Sequence, residues 1–284
     1  MRYRTGVYTL DRMLNGGLAP GLVEIWGGPA VGKTTLGYSI MRDAEQRGHL
    51  TALVHMDGLP DPVWIHNAGA ADCLIPQPQT GESAFDVMYH LITHGVKILV
   101  VDTLVGTQPL ENDLRPFTRN AWNAHRKLVH HSLTVLRSTA KAHGALVVIL
   151  NQLRNSIGEG LQSYLYSTMS SLVDHRIRLW KRSFRTEYGR LAETVIQVEV
   201  EFLSRVYSDV EARMSLWPLV GVWPERELLL FLTEEHVLAR SHNWWSTPVQ
   251  DERIGPGFAG AAGHIAQYYD TYYELMEEAF RARN

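Results

Sequence analysis

A single cysteine, Cys73, stands among 284 residues. One thiol excludes an internal disulfide framework and fits a reducing compartment. No apolar run reaches the roughly 18 residues a membrane-spanning helix needs, and the opening Met1-Arg2-Tyr3-Arg4-Thr5-Gly6 lacks the apolar centre of a secretory leader. The expectation is a soluble, cytoplasmic protein with no membrane partner. An excess of charge of either sign is also lacking. The formal net charge is -3, so any grip on nucleic acid has to come from local basic patches rather than from a global field. Internal repeats and low-complexity tracts are missing. Hydrophobic residues at 45% and charged residues at 20% exclude disorder as the default, and the length suits one large α/β domain or two small ones.

What is present is a phosphate-loop pattern, GxxxxGK[ST], filled at every fixed position by Gly27, Gly28, Pro29, Ala30, Val31, Gly32, Lys33 and Thr34. The apolar run Leu22–Trp26 precedes it, and helix-compatible residues from Thr35 follow, which supplies the strand, loop and helix the motif requires. Glycines allow tight turns that aim backbone amides at phosphate oxygens, beside the positive end of the helix. Lys33 is expected to reach the β- and γ-phosphates and the Thr34 hydroxyl to ligate Mg²⁺, with Thr35 a further cofactor-binding candidate. A ligand-free glycine-rich turn is the bland alternative.

Alternation of strand and helix signals continues beyond the loop. Helical periodicity to about Gln46 leads to a strand at 50–56. A helix is expected over 81–94, then a buried strand at 96–102 ending in Asp102, the shape of a Walker B strand. A polar loop from 106 to about 117 precedes a helix at about 118–142, and a further buried strand runs from 145 to 152. Such alternation calls for a wound α/β sheet with helices on both faces. Past Gln152 a helix is expected at about 168–173. Strands at 174–180, 193–202 and 227–232 read as antiparallel, so the mostly parallel sheet becomes mixed. A core spanning 1–260 and a closing amphipathic helix over 261–284 are expected.

These blocks together resemble the RecA recombinase family. The resemblance rests on Thr5-Gly6-Val7-Tyr8-Thr9-Leu10-Asp11, Val23-Glu24-Ile25 entering the phosphate loop, and the hexapeptide Gln77-Pro78-Gln79-Thr80-Gly81-Glu82. Val100-Val101-Asp102 and Leu150-Asn151-Gln152-Leu153-Arg154 follow in the same order. It implies a RecA-like core that binds ATP and Mg²⁺, hydrolyses ATP, and works on single-stranded DNA. Transferred residue by residue, Asp102 holds Mg²⁺, and Asp61 with Trp64 holds adenine, the indole as a stacking platform or simply a packed tryptophan. Gln152 senses the γ-phosphate, and Asp57 stands where the family has a water-activating glutamate. Aspartate is one methylene shorter, which cuts its reach by about 1.5 Å; a turn-forming Asp57-Gly58 is the alternative.

Other positions depart from the family. Few residues precede the matching region, so the element that docks on a neighbouring protomer is expected to be lacking. Glu199 and Glu201 occupy a strand that carries lysines in the family, and Arg205 is a weak substitute. Candidate DNA contacts are Arg115, Arg119 and Arg154 near two loops, with Tyr164 and Tyr166 available for base stacking or for ordinary packing. Arg176, Arg178, Lys181, Arg182, Arg185 and Arg190 form a second basic group, which on a strand also reads as one solvated face. Three functional readings remain: a DNA-dependent ATPase of recombination or repair, a RecA paralogue that binds ATP and regulates a protein partner, and a ring-forming motor. A homo-oligomer is compatible with each.

Overall fold

The structure is a computed structural model that describes residues 1–56, 58, 60–110, 121–156, 160–187, 190–203, 206–217, 220–242, 244–247 and 253–282. The chain opens with helix α1 (Tyr8–Met13), strand β1 (Gly21–Gly27) and helix α2 (Lys33–Gln46). Strand β2 (Thr51–His55), helix α3 (Pro62–Asn67), helix α4 (Gly81–Thr93) and strand β3 (Ile98–Asp102) follow. A 3-10 turn at Leu104–Gly106 leads on to helix α5 (Ala121–Ala142), strand β4 (Leu146–Ser156), strand β5 (Gly160–Ser163) and helix α6 (Tyr166–Leu172). Three long strands come next, β6 (His175–Glu187), β7 (Arg190–Leu203) and β8 (Val206–Leu216), and then helix α7 (Pro224–Glu234). Short strands β9 (Ala239–Ser241), β10 (Trp244–Ser246) and β11 (Arg253–Pro256) precede helices α8 (Gly257–Gln267) and α9 (Tyr269–Arg281).

The main sheet runs in the order β2-β3-β4-β1-β6-β7-β8, with β5 paired to the far end of β4. Strands β2, β3, β4, β1 and β6 are parallel, and β7 and β8 continue antiparallel. The mixed, mostly parallel sheet expected from the sequence is therefore present. Its central strands are buried on both sides, which is why they read as unbroken apolar runs. Along β3, Ile98 and Val100 face one core cluster with Leu36 and Ile40 of α2, while Leu99 and Val101 face a second with Met88 of α4 and Leu133 of α5.

Several expectations are corrected. Residues 227–232 form part of α7 rather than a strand. The run Glu227-Leu228-Leu229-Leu230-Phe231-Leu232 is too short and too uniformly apolar for periodicity to decide, and Pro224 in the first turn favours the helix. Strand β6 lies parallel to β1, with Trp26 opposite Arg178, and is antiparallel only towards β7. The strand β8 carried no recognised signal. The segment after Gln152, for which no strand was expected, holds the β4–β5 hairpin, Leu153 pairing with Ser163 and Ser156 with Gly160. The single closing helix is two helices that meet at Tyr268, and position 260 lies inside α8.

A third cluster gathers Leu228 and Phe231 of α7, Trp245 of β10, Ile265 of α8 and Met276 and Phe280 of α9 around Tyr8. Ion pairs join this unit to the chain's start: Arg4 to Glu277 at 2.7 Å, and Arg12 to Glu234 and Glu235 at 2.9 Å each. No helix among the described residues is long and apolar enough to cross a membrane.

Candidate nucleotide site and the loops beside it

The carboxyl ends of β1, β3 and β4 lie side by side, and Gly27 is in register with Gln152 of β4. At that edge β1 gives way to the phosphate loop and α2. Gly32 caps α2 in the left-handed region at φ 87°, a conformation that favours glycine. A side chain there would also meet Leu216 Cδ1 of β8 at 2.5 Å. Ala30, two residues earlier, also has a positive φ of 55°. The Lys33 ammonium donates to the carbonyls of Gly27 at 3.1 Å and Gly28 at 2.6 Å, which folds it over the loop. Burial pushes the Lys33 pKa down, opposed by the charge of Asp102.

Thr34 Oγ1 donates to Asp102 Oδ2 at 2.9 Å. The structure thereby brings together the two residues expected to bind Mg²⁺, one from α2 and one from the end of β3. Asp61 caps α3 by accepting from the Val63 amide at 2.9 Å, and Trp64, three residues after Asp61, packs partly against the first core cluster. Gln152 is half-buried at the end of the parallel part of β4. Asp57, Arg115, Arg119 and Arg205 lie outside the described residues.

The hexapeptide at 77–82 acts as a clamp on the segment after β3. Thr80 caps α4 in a reciprocal box with Ser83. Gly81 N–H donates to the Gln108 carbonyl at 2.7 Å, and a Cβ on Gly81 would collide with the carbonyl oxygens of Thr107 and Gln108. Glu82 accepts from the Leu110 amide at 3.0 Å.

Beneath the phosphate loop lies a polar network. Glu24, fully buried on β1, accepts from Asn151 Nδ2 at 2.7 Å and from Arg176 Nε at 2.7 Å. Arg176 also reaches Ser163 at 3.0 Å and Glu201 at 3.0 Å. Arg176 is only 3% exposed, which excludes it from a solvated basic face and from direct phosphate contact in this conformation. Arg178 lies 3.7 Å from Glu199 and 3.9 Å from the Trp180 ring. Glu199 and Glu201 thus have arginine partners on the neighbouring strand of their own chain. The side chains of Lys181, Arg182, Arg185 and Arg190 are not among those described.

Tyr164 is also corrected as a base-stacking candidate. It is 7% exposed, its hydroxyl lies 2.8 Å from His125 Nδ1, and Trp122 packs edge-on against its ring. Tyr166 is 40% exposed, with Arg176 over its ring, and Arg154 is exposed. A cavity of about 390 Å³ between α5 and α6 is lined by Arg126, Lys127, His130, Ser167, Thr168 and Ser171. Sequence reasoning passed over this group because α5 and α6 are far apart in the chain; the signal was the Arg126-Lys127 pair in an otherwise amphipathic helix. A second cavity of about 750 Å³, between α1, β7, β8 and α7, mixes Arg12 and Arg213 with Glu193 and Glu211 and has no residue of the phosphate loop in its wall.

A family model described as the RecA N-terminal domain matches residues 2–166. The chain belongs to the RecA family. It is 33% identical to "Protein RecA" of Gluconobacter oxydans, over 98% of this chain and 82% of that one. It is 26% identical to "Protein RecA" of Synechococcus elongatus, over 98% and 80%. With "Protein RecA" of a Nitratiruptor species the figures are 25% identity over 98% and 83%. The phosphate loop, the clamp at 77–82 and Asp102 all fall within the matched family segment, whereas Arg176, Glu199 and Glu201 lie beyond it.

Proposed function

We propose that this RecA-family chain is an ATPase that binds ATP with Mg²⁺, responds to single-stranded DNA, and serves recombination or repair. The observation that carries the proposal is the contact between Thr34 and Asp102, 2.9 Å apart beside Lys33 at the mouth of a complete phosphate loop. A hydroxyl and a carboxylate so placed suit a hard divalent cation that keeps phosphate and water as its other ligands. When bound, that cation neutralises charge building up on the β- and γ-phosphates. Lys33 would exchange its carbonyl partners for phosphate oxygens, and Asp61 and Trp64 would hold the base. Gln152 would present its amide to the γ-phosphate, and Asp57 would accept the proton of the attacking water.

The DNA part of the reading is supported by the cavity at Arg126, Lys127 and His130, together with the exposed Arg154 and Tyr166 near the β4–β5 hairpin. Cations and hydroxyls on two helix faces suit a phosphodiester backbone. A second reading, a paralogue that binds ATP and holds a protein partner, is favoured by one observation. On the strand where the resemblance expects lysines, Glu199 and Glu201 are tied to Arg178 and Arg176 of the same chain. ATP turnover with and without single-stranded DNA, alongside light scattering, separates the two. Stimulated turnover supports the first reading; ATP binding with no response to DNA would sink it.

A further inference from the structure

A second buried hydrogen-bond chain lies against the network under the phosphate loop and links the segments that follow β3 and β4. Thr107, fully buried, gives its hydroxyl proton to the Leu104 carbonyl at 2.7 Å. Its oxygen therefore accepts from His125 Nε2, 3.1 Å away. With the ring proton on Nε2, Nδ1 carries a lone pair, and the Tyr164 hydroxyl donates to it at 2.8 Å. Burial pushes the His125 pKa down, so the ring is neutral and this tautomer holds. The backbone of Tyr164 is tied to the nucleotide edge at both ends. Its N–H donates to the Gln152 carbonyl at 2.9 Å, and its carbonyl accepts from Asn151 Nδ2 at 2.7 Å.

We propose that His125 is a positioning residue that couples the two segments flanking the nucleotide edge, so that movement of Gln152 is passed through Tyr164 and Thr107 to residues 104–110. This rests on the reading of the chain as an ATPase that answers to single-stranded DNA. The geometry favours coupling over simple packing. His125 hydrogen-bonds a side-chain hydroxyl from each segment, Thr107 on one side and Tyr164 on the other. A shift of one segment leaves a buried donor or acceptor unpaired unless the other follows, which makes independent motion costly. Thr107 belongs to the stretch that Gly81 and Glu82 clamp, so the effect extends to α4.

The test compares wild type, His125→Phe, Thr107→Val and Thr107→Ser for ATP affinity, basal hydrolysis, and stimulation by a poly-dT oligonucleotide, with a melting curve for each. Thr107→Val keeps shape and removes the hydroxyl, whereas Thr107→Ser restores it. The expected result is ATP affinity and basal turnover within about twofold of wild type for all three variants. DNA stimulation should fall about tenfold in His125→Phe and Thr107→Val, within the ordinary range of coupling between sites, and be retained in Thr107→Ser. Full stimulation in both disabled variants overturns the inference while leaving the proposed function intact. Parallel loss of ATP binding and melting temperature also overturns it, because the role is then structural. A wild-type protein that poly-dT does not stimulate defeats the functional reading itself and the inference with it.

Discussion

Thr34 Oγ1 and Asp102 Oδ2 lie 2.9 Å apart and join the first turn of α2 to the end of β3 across the parallel sheet. The contact orients both groups before any cation arrives, so less ordering remains to oppose binding. Thr34→Val or Asp102→Asn should weaken Mg²⁺-dependent ATP binding at least tenfold, with little change in binding of nucleotide alone in EDTA. Lys33→Ala should abolish both. Calorimetric titration with and without Mg²⁺ measures the difference, and retained ATP binding in Lys33→Ala would refute the site assignment.

The ion pair between Glu24 and Arg176 is almost wholly buried, at 0% and 3% side-chain exposure. Removing one partner of such a pair strands the other charge in a low-dielectric interior. Arg176→Met should cost about 3–5 kcal/mol in urea denaturation. The double variant Glu24→Gln with Arg176→Met should be distinctly milder. If the two single changes simply add, the pair is not coupled as the geometry requires.

Glu227 of α7 is buried at 2% exposure, and burial raises its carboxyl from the usual 4.5 to about 8. Asp11 on α1 is raised in the same way to about 7. The folded state holds these protons more tightly than the unfolded chain does. Their contribution is therefore full below the unfolded pKa and is lost as pH rises through the folded pKa, giving falling stability from about pH 4.5 towards 8. The slope reaches at most about 1.4 kcal/mol per pH unit for each proton. Glu227→Gln should flatten the profile of melting temperature against pH over that window. An unchanged slope would remove Glu227 from the account.

Gly81 is needed because backbone lies against it. A methyl group would press on the carbonyl oxygens of Thr107 and Gln108, which are main-chain atoms without rotamer freedom. Gly81→Ala should cost about 1–3 kcal/mol and impair DNA stimulation more than ATP binding. Hydrogen exchange at residues 104–110 should rise in the variant; unchanged protection there would argue against the clamp.

The cavity between α5 and α6 yields a salt test. Lys127→Ala and Arg126→Ala should each weaken binding of a fluorescent poly-dT strand uniformly with sequence. Each should also lower the slope of log affinity against log salt by about 0.7, the value for one phosphate contact on a single strand. Fluorescence anisotropy at several salt concentrations reads this directly. A lower affinity at unchanged slope would mean that the residue acts through structure rather than through phosphate.

The phosphate loop, the strand ending in Asp102 and the block at 77–82 were legible because their chemistry is local. A glycine that must turn, a lysine that must reach and a capping threonine are each set by a few neighbouring residues. The wound sheet was legible as well, since buried parallel strands leave continuous apolar runs. Residues 227–232 were misread because a short apolar run has the same composition in a buried helix and a buried strand. Tyr164 and Arg176 could not be decided from sequence for another reason. An aromatic or a guanidinium advertises a ligand in sequence, but their partners His125 and Glu24 lie 39 and 152 positions away in the chain.

By itself, then, the sequence determined the family, the nucleotide loop and the alternation of strands and helices as far as Gln152, all of which depend on side-chain type and near-neighbour spacing. Only the tertiary structure decided which polar groups are buried together. That is a property of the sheet order β3-β4-β1-β6, which sets Glu24, Asn151 and Arg176 on adjacent strands. Burial without a partner is costly, so each of these groups is held where another can satisfy it. That requirement made interior links of Tyr164 and Arg176, two candidates for DNA contact, beside the phosphate loop.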